Sequence, residues 1–432
     1  MSELRLGVEI GFKKISLALY ENGVPRVIFS FPSSAACSID RSEWHFGMNA
    51  GSFLADTHYQ HVPSVKHALL SHNDGRKNPL VPLLLEQLFA HIKMIGENKL
   101  KQCLQGVVVV LPQCLNCSPV NRQMVMDAWQ KNGIMDVLCI SDVSAILLAY
   151  TVQTLDRRSI ITKASEPFYL LVCNADSERC RVDFFVVISN NYVIKIHNNC
   201  VLWGCFADLR RRVVAAIYER LLSAGMPEVN QRAQLEEECW SQMAVFDDSL
   251  TDKVTIRAPF HQYAVTCTRG MYHAVAAPVI DAIRQRVVSE LGRFGIMDAN
   301  TGNINGKVEL LLVGENSRLG LLRTALESAT KSQVIAGAES YGDDAEAFGA
   351  AIASSLAGNR ENTLINHLLV NLREGIAFDM EKILTALPLP HADNDLAQSE
   401  WNRFIGRLHD VSLTGDLYMR YREIQLSSPA FA

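Results

Sequence analysis

The chain lacks the features that would commit it to a membrane, a metal centre or a common hydrolase. No stretch reaches about 18 uninterrupted apolar residues, the length a spanning helix needs. The N-terminus shows no charged segment followed by an apolar core and a small-residue cleavage site, so a cytosolic protein is expected. Neither sign of charge dominates: 41 basic against 46 acidic residues give −5. No global field therefore draws the chain to nucleic acid or to an anionic membrane, and neither is expected as a partner. No G-x-S-x-G elbow, H-E-x-x-H pair or Walker lysine loop occurs.

Eleven cysteines, an odd number, are scattered through strand-like and helix-like segments without the spacing of a disulfide framework, and are expected to be reduced. Cys114-Leu115-Asn116-Cys117 is the one C-x-x-C, between Pro112 and Pro119. Zinc needs four ligands, and without a second pair the segment reads as a plain loop. Composition is ordinary for a globular protein, with 48% hydrophobic and 20% charged residues. At 432 residues the chain exceeds one simple core and implies two or more lobes.

Near the N-terminus, Leu6-Gly7-Val8-Glu9-Ile10-Gly11-Phe12-Lys13-Lys14 has the outline of a phosphate-binding hairpin. Glycine lets backbone N–H groups approach a phosphate, because it has no side chain to block them. Phe12 puts a bulky ring where such a turn needs a small residue. Alternation continues through Ile15 to Tyr20 and, after Asn22-Gly23, through Arg26 to Phe29, which reads as two strands joined by a tight turn.

Strand patterns fall near 4–10, 15–20, 26–30, 107–111, 168–173, 182–188 and 192–196, with a further strand at 253–256. Helical periodicity marks 82–95, 120–132, 144–154, 206–223, 271–294, 319–328 and 344–356. Two related α/β halves are expected, beginning at residue 4 and near residue 168.

These segments, taken in order, resemble the nucleotide-binding domain of the 70-kDa heat-shock chaperone family. The resemblance runs through Val62 to Lys66, Val107 to Pro112, Asn121 to Gln123, Ser144 to Tyr150, Leu170 to Asp183, Leu311 to Arg318 and Asp343 to Ala351. It implies an α/β, duplicated actin-like ATPase (ribonuclease H-like) fold, with two lobes around a central cleft and a short C-terminal extension. The implied lobes are 1–165 and 166–358, with 228–306 as a cleft-capping subdomain, 359–373 as a linker-like segment and 374–432 as a remnant of a substrate-binding domain or a small tail. A terminal hairpin over Val411–Leu413 and Leu417–Tyr421 is part of that expectation.

In that family, hydrolysis uses magnesium-directed carboxylates, a lysine near the γ-phosphate, and glycine and hydroxyl donors. Glu9 stands at the first carboxylate, Lys66 matches the catalytic lysine and Asp142 the glutamate of the connecting motif. On spacing alone, Lys66 reads as a surface lysine and Asp142 as a helix cap before Ser144. Phe12 and Lys13 replace two threonines, and Asn174-Ala175-Asp176-Ser177-Glu178-Arg179-Cys180-Arg181 keeps no glycine of the second phosphate loop. Asp176 and Glu178 thereby enter a triphosphate site. A like-charge contact near 4 Å costs on the order of 4 kcal/mol at an effective dielectric of about 20, unless Arg179 or Arg181 compensates.

Gly11, Gly204 and Gly314 survive as vestiges of the nucleotide loops. At the adenine clamp, Trp240, Met243, Ala244 and Asp247 replace the family's polar set. Trp240 and Met243 at i, i+3 suit either a platform for a base or core packing. Arg210-Arg211-Arg212 reads as a solvated helix face. The resemblance implies a non-catalytic scaffold similar to the ribosome-associated branch, with weak or absent ATP and magnesium binding. Its implied partners are other chaperones or a J-domain co-chaperone, and nascent or unfolded chains indirectly. Residues 135–150 lack the arginine this family uses toward J-domains, so such a partner is expected to bind another way. A weak ATP-dependent chaperone and an actin-related interaction protein remain as alternatives.

Overall fold

The computed structural model describes residues 4–21, 23–73, 78–116, 118–156, 168–188, 192–226, 240, 246, 252–257, 263–298, 301–335, 342–358 and 377–379. Over them the chain is a mixed α/β protein built on two five-stranded sheets. Among the described residues no helix is long and apolar enough to cross a membrane.

The first half runs β1 (Arg5–Ile10), β2 (Lys14–Glu21) and β3 (Val24–Pro32) as an antiparallel meander. Gly23, at φ 78°, supplies the left-handed residue its second turn needs. A small sheet follows, of β4 (Ala35–Ser38), β5 (Trp44–Phe46) and β6 (Tyr59–Val62), with α1 (Met48–Gly51) between the last two. Next come α2 (Val65–Asn73), α3 (Leu80–Leu100), β7 (Gly106–Leu111), α4 (Gln113–Asn116), α5 (Pro119–Lys131), β8 (Asp136–Ser141) and α6 (Asp142–Asp156). The first sheet has the order β3-β2-β1-β7-β8, with β7 and β8 parallel to β1.

The second half repeats the pattern. β9 (Phe168–Ala175), β10 (Arg179–Ile188) and β11 (Tyr192–Trp203) form a meander, followed by α7 (Cys205–Ser223). After β12 (Lys253–Arg257), β13 (Ala264–Thr268) and α8 (Arg269–Arg293), β14 (Val308–Val313) returns parallel to β9. Helices α9 (Gly320–Thr330) and α10 (Ala345–Ala357) follow, and β15 (Ala377–Asp379) adds an antiparallel edge beside β11. In both sheets the first strand thus lies between an antiparallel hairpin partner and a later parallel strand.

Hydrophobic periodicity explains most of these elements. One stripe of α3, including Leu84, Leu85, Leu88, Phe89 and Ile92, is fully buried, and Phe89 stacks on Trp129 of α5 at 4.3 Å. Each such side chain contributes about 1.5–3 kcal/mol. Helix starts follow capping chemistry. Ser118 accepts from the Asn121 N–H before Pro119, and Thr268 accepts from the Met271 N–H.

Helices α6 and α10 lie between the two sheets, sharing a buried cluster with Val108, Val110, Leu170, Val172 and Leu311. Gly349 packs directly on the Ala145 backbone, and Gly7 of β1 on Ala350 and Ala351. A side chain at either glycine would collide with backbone, so small residues bring these elements to closest approach.

Two sequence expectations change. Residues 113–116 form a short helix rather than a loop, because the Leu115 and Asn116 N–H groups both donate to the Pro112 carbonyl, while Cys117 lies outside the described residues. Strands β4, β5, β6, β8, β13, β14 and β15 were not anticipated as strands. The acidic helix at 234–240 apart from Trp240, the linker-like segment 359–373 and the terminal hairpin also fall outside the described residues.

Candidate functional site: a cleft with a closed floor

The N-termini of α6 and α10, the β1–β2 turn and the β9–β10 turn converge between the sheets. A pocket there is lined by Glu9, Phe12, Lys66, Asn174, Asp176 and Glu346, among others, and leaves only about 20 Å³ of free space. That suffices for about one water molecule.

Its walls are charged and paired. Asp142, the first residue of α6 and fully buried, accepts from the Val143 N–H at 3.0 Å and the Gln113 N–H at 3.2 Å. Its other oxygen accepts from Arg179 Nη2 at 3.0 Å and from Arg181 Nη1. Burial alone would raise the Asp142 pKa, but Arg181, Arg179 and Lys66 outweigh it and hold it at about 2. Arg181 also pairs with Asp183 at 2.7 Å, and Lys195 Nζ lies 2.8 Å from Asp183 while donating to Gln113 Oε1 at 2.6 Å. Lys66 Nζ lies 3.7 Å from Glu346, whose second oxygen accepts from Asn174 at 2.8 Å. Most of these pairs join residues of the first sheet's half to residues of the second.

The β9–β10 turn carries its own anion. Asp176 Oδ1 accepts from the N–H groups of Glu178 at 3.1 Å and Arg179 at 2.8 Å, and Oδ2 from Arg179 Nε at 2.9 Å. Donors of the kind a phosphate would take are consumed by this carboxylate. Arg179, one of the two arginines expected to offset the Asp176 charge, is the residue that pairs with it.

Phe12 closes the floor. It is 5% exposed, with Lys66 Nζ 4.9 Å and the Arg179 guanidinium 5.9 Å from its ring. Beneath it, Glu9 Oε2 is buried without a hydrogen-bond partner. Burial first, then the Glu346 charge, push the Glu9 pKa well above the usual carboxylate range, against the opposing pull of Lys66 and Lys14. Five buried carboxyls, Glu9, Asp142, Asp176, Asp183 and Glu346, face the four cations Lys66, Arg179, Arg181 and Lys195.

Several expectations are therefore corrected. Lys66 is no surface lysine, at 2% exposure, because α2 carries it under Phe12. Asp142 does begin a helix, but its main partners are two arginines across the cleft. Gly11 serves the hairpin: its N–H donates to the Lys14 carbonyl at 2.9 Å, and a Cβ would come within 2.6 Å of that oxygen. Gly314, at φ 95°, lies so close to Ala175 that a Cβ would meet its carbonyl oxygen at 2.6 Å. Lys13 pairs with Glu315 at 2.9 Å and Lys14 with Asp344 at 2.6 Å.

Outside Phe12 lies a second chamber of about 430 Å³, lined by Lys13, Ser33, Glu178, Phe206, Arg210 and Trp240, among others. Gly204 caps α7 beside it at φ 70°. Arg211 and Arg212 face solvent and pair with Asp208, as a solvated helix face should, but Arg210 of the same run lines the chamber. Trp240 lines it too while packing on the second half's core, whereas Met243, Ala244 and Asp247 lie outside the described residues.

Sequence reasoning assigned no role to Lys14, Gln113, Asp183, Lys195 or Glu346, and placed Glu315 only as the residue after Gly314 in a half-kept adenosine loop. A signal was present on β10, where Arg179, Arg181 and Asp183 alternate with Cys180, Val182 and Phe184, placing three charges on one face of a buried strand. No protein-family model matches the chain, and no curated protein matches it.

Proposed function

We propose that the chain is a catalytically silent relative of the 70-kDa heat-shock chaperones, with a duplicated actin-like ATPase fold, acting as a scaffold in cytosolic protein folding. Its partners on this reading are other chaperones, including a J-domain protein at the ribosome. The repeated strand pattern of the two sheets and the close contact of α6 and α10 between them support the fold assignment.

One observation carries the loss of catalysis. The space for phosphate and metal is occupied by Phe12 and by internal ion pairs from Asp142 and Asp176 to Arg179 and Arg181. Binding a triphosphate there would require breaking buried pairs, each break costing several kcal/mol.

The test is titration of ATP with magnesium into the full chain by calorimetry, beside single-turnover hydrolysis with Lys66→Ala as control. Neither micromolar binding nor turnover is expected. Micromolar affinity with turnover lost in Lys66→Ala would overturn the reading in favour of an ATP-dependent chaperone. Co-purification with ribosomes supports the scaffold role, and co-purification with cytoskeletal complexes instead supports an actin-related interaction protein.

A further inference from the structure

We infer that the two halves of the chain are held closed over the cleft by an internal clasp of charges, centred on Asp142, that takes the place of a bound ligand. The inference rests on the catalytically silent reading, since a triphosphate entering the floor would have to part the same charges.

Six side chains form an unbroken alternating run: Lys195, Asp183, Arg181, Asp142, Arg179 and Asp176, each paired with the next and none more than 9% exposed. Of the six, only Asp142 comes from the first half. The others stand on β10, β11 and the β9–β10 turn of the second sheet.

Asp142 is fixed to the first sheet. It follows Ser141, the last residue of β8, whose Oγ accepts from the Ser144 N–H at 3.1 Å, and its own Oδ1 accepts from the Val143 and Gln113 N–H groups. The two arginines are fixed to the second sheet. Arg181 Nε lies 2.7 Å from Asp183, and Arg179 Nε lies 2.9 Å from Asp176. Neither guanidinium can follow Asp142 outward without leaving the carboxylate on its own half. Parting the halves therefore breaks two charge pairs at once, the costly way to lose a buried ion pair. Lys195, at one end of the run, adds a second link by donating to Gln113 Oε1 of α4 at 2.6 Å.

At the rim, Lys13 is half exposed and pairs with Glu315 at 2.9 Å. An exposed pair of this kind contributes little and is screened by salt, so the closure belongs to the buried run. A cleft closed in this way keeps one shape with or without nucleotide, which suits a scaffold that presents a constant surface.

Small-angle X-ray scattering on the full chain reads the closure. The natural chain is expected to give one profile with and without ATP and magnesium. Asp142→Ala should raise the radius of gyration. Formate, a carboxylate small enough to stand in for the lost group, should reverse the rise, and chloride at the same concentration should not. Asp142→Asn, which keeps the side chain's volume, should show the same shift in smaller measure, and Lys13→Ala should show none. Cooperative urea unfolding confirms which variants are folded. An unchanged radius in whichever Asp142 variant is folded, or a rise that chloride reverses as well as formate, would overturn the inference and leave the catalytically silent reading standing. A change in the natural chain's profile on adding ATP with magnesium would overturn both.

Discussion

The cleft floor and the chamber above it are separated by one side chain, Phe12, yet they solve opposite problems. On the floor, four cations and five carboxyls pack against one another, and about 20 Å³ of free space remains. Above it, about 430 Å³ stays open between aromatic walls and a helix N-terminus. The difference teaches where charge can act. A buried ion pair is committed to its partner, because separating it strands a charge away from water, whereas a group at an open wall can exchange water for a ligand.

The sharpest way to break this contrast is to unbalance the floor. Asp142→Ala leaves Arg179 and Arg181 without their shared anion, and a loss of roughly 3–5 kcal/mol is expected in urea unfolding. A loss below about 1 kcal/mol would show that the cluster does not hold the two halves together.

A smaller effect follows from pH. The Asp142 pKa is lowered from 3.8 to about 2 in the folded protein, so the folded state binds fewer protons than the unfolded chain across that range. Its contribution, roughly 2 kcal/mol, is present above about pH 4 and is lost as pH falls through 2. Asp142→Asn should show a shallower acid limb in pH-dependent unfolding; an unchanged limb would refute the assignment.

Glu9 works in the opposite sense and is the mildest probe. Its folded pKa lies above the ordinary 4.5, so the stability tied to its proton is present at low pH and declines as pH rises through the folded value. Glu9→Gln keeps the shape of the protonated form, and a melting temperature higher by about 1–3 °C at pH 7 is expected, with less dependence on pH. A lower melting temperature at pH 7 would mean that the ionised carboxylate is needed by Lys66.

Much of the framework was legible in the residues. The meander from Arg5 to Pro32, the buried stripe of α3 and helices α5 through α10 follow from periods of two and 3.6 and from turn residues such as Gly23. The strands passed over were short or were buried on both faces: Val308–Val313 is buried throughout and, Glu309 apart, apolar, so its period of two is hard to read. In the cleft, Phe12 as a plug was readable, because a benzyl side chain has a fixed bulk wherever the turn places it. Lys66 was misjudged because a lysine followed by His67 in an ordinary helix start carries no mark of burial. Only the packing of α2 beneath Phe12 removes it from water.

Sequence alone determined the alternation of strands and helices, the absence of glycine between Asn174 and Arg181, and the ring at position 12. These are local properties, set by backbone freedom and side-chain volume. Tertiary structure decided who pairs with whom. Asp142 meets Arg181 across 39 residues, and Asn174 meets Glu346 across 172. An ion pair depends on a few ångströms of separation that no local pattern encodes. The same charges that read as repulsive along the chain become, once the sheets face each other, the contacts that close the floor.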